Sequence, residues 1–108
     1  MRLYNIRGKV MISKSQEAAL ATFKEAKANL LKDIKNNTAS PFFQMFVGGY
    51  WDVSIENIIE RIETLGSIIK EDGLEERLFA DMTKEVYDLL MNRKRYGIAR
   101  DFAKKYGL

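Results

Sequence analysis

The side chains best equipped for chemistry crowd the end of this chain. Arg93, Lys94, Arg95, Arg100, Lys104 and Lys105 fall within thirteen residues, with Tyr96 and Tyr106 interleaved. A strip of cations suits a phosphate backbone, because each phosphate it neutralises releases a condensed counterion. Arg100 and Lys104 are four residues apart, so a helix here presents both on one face. From Arg93 onward there is no Asn, Gln, Ser or Thr to read base edges. Nucleic-acid contact through this segment would therefore be backbone-directed, sequence-tolerant and sensitive to salt. The competing use of the same charges is a solubilising terminal helix whose cations answer acids elsewhere in the chain.

Those acids are the second chemical candidate. Glu56, Glu60 and Glu63 recur at helical spacing, and paired carboxylates can hold Mg²⁺ or exchange protons with a substrate. Their spacing also describes the solvated ridge of an amphipathic helix, and that is the reading adopted. The chain has no histidine and no cysteine, which removes the commonest general base, the commonest zinc ligand and any thiolate nucleophile. It has no glycine-rich phosphate loop and no nucleophile–base pair. The expectation is a non-enzymatic protein with no cofactor and no metal.

The net charge of +3 is unevenly laid out: residues 1–40 carry +5, residues 41–92 carry −7 and residues 93–108 carry +5. The basic ends either fold beside the acidic middle and cancel its field, or converge into one basic face. At 108 residues, with 46% hydrophobic and 31% charged, the chain has the length and composition of one globular domain. No apolar run reaches the length of a membrane span or a signal-peptide core, and a cytoplasmic location is the default.

Several elements must position these residues. The stretch Ser40 to Trp51 holds five of the twelve aromatics, the only proline and the only tryptophan. Ser40-Pro41 has the form of a helix start, Phe42 to Val47 would make about two turns, and Gly48 would stop them. This segment is either an aromatic plug between two long helices or an exposed anchor for a partner. Phe43, Tyr50 and Trp51 are its candidate partner-binding residues, with Tyr50 and Trp51 the more exposed.

Around it the periodicity is helical. Ser13 and Gln16 have capping-box spacing, and Ala19, Leu20, Phe23, Ala26, Leu30, Leu31 and Ile34 form one stripe of a helix running to about Lys35. Ser54 caps a second long helix, about Ile55 to Lys70, whose stripe is Ile55, Ile58, Ile59, Ile62, Leu65 and Ile69. Gly66 inside it costs about 1 kcal/mol relative to alanine, which suggests that a neighbouring backbone passes close. Asp72 and Glu75 have capping-box spacing for a third helix, about Leu74 to Met91, with Arg77–Asp81 and Lys84–Asp88 as i,i+4 pairs. A last helix runs from about Tyr96 to Tyr106, with Ile98, Ala99, Phe102 and Tyr106 inward and Gly107 as its stop. Residues 1–12 alternate, with Arg7-Gly8 between two short apolar runs, so they form a hairpin or an extended arm.

The segment Leu74 to Gly107 resembles one tetratricopeptide unit at Tyr96 and Ala99, but it lacks the tryptophan and glycine of that unit's first helix. A single unit cannot bury its own stacking face, so no family follows from it. The fold expected is all-α: a compact antiparallel bundle of about four to five helices over residues 13–108, with a hairpin or arm before it. The function expected is binding to another protein, as an adaptor, regulator or inhibitor of a larger machine, with self-association as a related mode. The alternative is nucleic-acid binding through the basic end.

Overall fold

A computed structural model describes residues 13–38 and 51–108, together with the backbone of residues 4–6 and 9–11. The two short segments are strands, β1 (Tyr4–Ile6) and β2 (Lys9–Met11), paired antiparallel with Tyr4 opposite Met11 and Ile6 opposite Lys9. Of the hairpin and the extended arm that the N-terminal alternation allows, this is the hairpin. The Arg7-Gly8 turn lies outside the described residues, as do the short helix expected from Phe42 to Val47 and its stop at Gly48.

Four helices follow among the described residues: α1 (Lys14–Asn37), α2 (Ile55–Glu71), α3 (Arg77–Asn92) and α4 (Tyr96–Tyr106). Their starts repay the capping argument. Ser13 Oγ accepts from the Gln16 backbone N–H, while Gln16 Oε1 accepts from the Ser13 N–H at 3.3 Å, so two orphan donors of α1 are satisfied reciprocally. Ser54 Oγ accepts from the Asn57 N–H at 3.2 Å and starts α2 in the same way.

The start of α3 differs from expectation. The Asp72–Glu75 box is not formed, because Asp72 and Gly73 finish α2 instead. Gly73 takes a left-handed φ of 65°, and the Leu74 N–H then reaches the Ile69 carbonyl at 2.9 Å. That bond is the Schellman closure, and it spends the residues that a cap would need. Glu75 accordingly sits in the connecting turn, and α3 begins at Arg77 behind Glu76, which makes no side-chain cap. Arg77 pairs back to Glu75 at 3.4 Å rather than forward to Asp81.

Successive helices run antiparallel. Gln16 Nε2, at the start of α1, donates to the Asp72 and Gly73 carbonyls at the end of α2. Asp33, near the end of α1, accepts from Arg61 in the first half of α2. The core is one cluster: Phe23, Leu30 and Ile34 from α1, then Ile58, Ile62, Leu65 and Ile69 from α2. Met82, Val86 and Leu90 from α3, with Ala99 and Phe102 from α4, complete it. Most of the expected stripe positions of α1, α2 and α4 are thus in the core or packed against it, Leu20 and Ile59 excepted, and the fold is all-α. At Gly66 the close neighbour is a side chain, not a backbone: the ring of Phe79 lies against it. α4 packs on α2 and α3, and among the described residues its backbone makes no close approach to α1. No described helix is long and apolar enough to cross a membrane.

Candidate functional site

The basic residues are delivered by the corner between α3 and α4. α3 ends on a Schellman turn, with the Lys94 N–H on the Met91 carbonyl at 3.0 Å and the Arg95 N–H on the Leu90 carbonyl at 2.9 Å. The turn needs a left-handed residue, and this chain places Lys94 there, at φ 61°. A side chain in that conformation costs about 1 kcal/mol or more, since Cβ crowds the following carbonyl. In exchange the turn lifts Lys94 and Arg95 clear of the bundle, and both are exposed.

α4 then divides into two faces. Ala99 and Phe102 are fully buried, with Ile98 and Tyr106 packed beside them. On the other side Tyr96, Arg100 and Lys104 follow one another at intervals of one turn, and all three are exposed. From Tyr96 to Lys104 the row is about 12 Å long, at 1.5 Å per residue. Arg100 touches one carboxylate, its neighbour Asp101, at 3.5 Å, with the Arg100 side chain 81% exposed. A pair that open to water holds a guanidinium only weakly.

Two of the six expected cations stand apart. Arg93 is half-buried, and its Nε is enclosed without a hydrogen-bond partner among the described residues. Lys105 lies over the ring of Tyr106, 5.8 Å from its centre. Lys105 stays exposed all the same, so the exposed set is Lys94, Arg95, Arg100, Lys104 and Lys105, with Arg93 alone half-buried. Among the described residues the cations of α1 and those of α4 are not brought together. Lys27 of α1 is engaged by Glu85 of α3 at 3.2 Å, while α4 sits away from α1.

Tyr106 anchors α4 rather than facing solvent as a reagent. Its ring packs on Phe102 at 4.8 Å and meets Phe79 edge-on at 5.7 Å. Its hydroxyl donates to Glu63 Oε1 of α2 at 3.3 Å. Burial, then the charge of Glu63 and this hydrogen bond, push the phenol up to about 12. It therefore stays protonated at any physiological pH.

Among the described residues there is an open groove of about 790 Å³ lined by residues that include Glu63, Gly66, Ile69, Leu74, Glu76 and Phe79. Among the described residues no three His, Cys, Asp or Glu side chains come together in a way that could hold a metal ion.

Of the expected partner-binding residues, Phe43 and Tyr50 lie outside the described residues. Trp51 is half-buried against the core, and its ring is covered by the Arg61 guanidinium, whose carbon is 5.0 Å from the ring centre. Arg61 is itself held by Asp33 at 2.6 Å. Trp51 N–H also donates to the Asn37 side chain at 3.1 Å. This tryptophan thus belongs to the packing between α1 and α2. Sequence reasoning missed the Trp51–Arg61–Asp33 chain, because its members are far apart along the chain and each reads locally as an ordinary helix residue.

No family model, curated protein or solved structure matches this chain.

Proposed function

We propose that this protein acts by binding rather than by catalysis, and that its ligand is the phosphate backbone of a nucleic acid. The observation that carries this reading is the exposed row at the α3–α4 corner: Lys94, Arg95, Arg100 and Lys104 all face water, and the C-terminal sixteen residues contain only Asp101 to oppose them. Such a strip needs no pocket. It attracts a polyanion at a distance, and local charge decides where contact is made even though the net charge of the chain is only +3. The acids of residues 41–92 disfavour a polyanion along α2 and α3.

No base-reading side chain accompanies the cations, so affinity should vary little with sequence and steeply with salt. The test is fluorescence anisotropy with labelled oligonucleotides across a salt series. Binding at low salt should weaken log-linearly as salt rises. Reversing Lys94, Arg95 or Arg100 to Glu should reduce the slope by about 0.7 to 0.9 for each phosphate contact removed. Absence of binding at low salt would discard the reading.

A further inference from the structure

We infer that the nucleic acid held on this row is single-stranded, with one base stacked on Tyr96 and the adjoining phosphates on Arg100 and Lys104. The inference rests on the phosphate-binding reading above and specifies the form of its ligand. Tyr96 is 56% exposed, and among the described residues the other large apolar side chains left open are Met91 at 39% and Leu108 at 51%. Among the described residues no ring or cation is set against it, whereas Tyr106, on the same helix, has both.

One exposed ring such as Tyr96 is ordinary by itself, even where the same helix packs Phe102 and Tyr106 against the core. Its neighbours make the exposure specific. Lys94 and Arg95 precede it on the corner, and Arg100 lies one turn further along the same face. An aromatic face continued by cations is how a single strand is held without regard to sequence: the base stacks and the backbone follows the charges. A duplex has little use for this arrangement, since its bases are already stacked on one another and expose only their edges. A single row of cations also matches one backbone rather than two. The stacking requires a π face and no particular hydrogen-bond pattern, in keeping with a helix that carries no Asn, Gln, Ser or Thr.

The experiment compares short thymidine and uridine homopolymers with a duplex of equal length, using the full chain and circular dichroism to confirm folding of every variant. Homopolymers should bind more tightly than the duplex. Tyr96→Ala should weaken homopolymer binding roughly ten- to a hundredfold at fixed salt, with the salt slope unchanged. Tyr96→Phe should retain it. Arg100→Glu and Lys104→Glu should instead lower the slope. Unchanged binding by Tyr96→Ala, or a duplex bound as tightly as the homopolymers, would overturn the single-strand inference. If the charge reversals still weakened binding in that case, the cationic row would stand without the stack. Failure of every polymer to bind at low salt would remove both.

Discussion

Gly66 and Phe79 are fitted to one another: a Cβ built on Gly66 would lie 3.0 Å from Cε1 of the Phe79 ring. The glycine that weakens α2 locally is what lets α3 bring a ring against its backbone. That ring then supports Tyr106, and through it the end of α4.

Substitution at Gly66 should expose this trade. Gly66→Ala gains about 1 kcal/mol of helix propensity and loses a similar amount in displacing the ring, so it should fall within about 1 kcal/mol of the parent. In a Phe79→Leu background the same change should be stabilising, because the contact is gone. Urea denaturation of the double-mutant cycle measures the coupling, and additivity would disprove the fit.

Gln16 joins two helix ends at once, completing the α1 cap and donating to two carbonyls at the end of α2. Gln16→Ala should cost about 1–2 kcal/mol, more than the loss of a cap partner in an isolated helix. Gln16→Glu keeps the acceptor and removes the donors. It should be no more stable than Gln16→Ala at neutral pH, and should recover in part as the carboxyl protonates near about pH 4. Thermal melts at the two pH values distinguish these outcomes.

The Tyr106 phenol gives an alkaline signature. Its folded value is about 12 against an ordinary 10.0, raised by burial first and by Glu63 second. Its contribution to stability is therefore complete below pH 10 and is lost as pH rises toward about 12, where the unfolded chain ionises more readily than the folded one. Tyr106→Phe should show a shallower loss of stability than the parent across that window. Glu63→Gln should lower the phenol's value while leaving it above 10.0, since burial remains. Urea denaturation at a series of alkaline pH values checks the first, and ultraviolet titration of tyrosinate checks the second.

At Lys94 stability and binding should part company. Lys94→Gly relieves the left-handed strain and should stabilise the fold by about 1 kcal/mol. It also removes a cation from the exposed row, so polyanion binding should weaken. Lys94→Ala should weaken binding equally without the stabilisation, because its Cβ stays. Equal stability of the glycine and alanine variants would contradict the strain argument.

Much of the fold is written in short-range patterns. The Ser13–Gln16 box, the Ser54 cap, the isoleucine stripe of α2 and the Tyr96–Tyr106 limits of α4 all follow from spacing alone. The start of α3 does not, because Asp72–Glu75 has the spacing of a cap while Gly73 commits those residues to ending α2. Local pattern cannot rank two uses of one segment. The exposure of Tyr96 and Arg100 could be anticipated from helix phase. The half-burial of Arg93, the ring of Lys105's neighbour and the covering of Trp51 by Arg61 could not, since each depends on a neighbour chosen by packing.

The placement of α4 has a dynamic consequence. It is held to α2 and α3 by Ala99, Phe102 and Tyr106, and among the described residues its backbone makes no close approach to α1. The last helix should therefore open more readily than the α1–α2 seam, and its amides should exchange with deuterium ahead of those of α1. A strand gripping Arg100 and Lys104 would slow that exchange selectively, so occupancy of the row should be readable as tightening of the C-terminus.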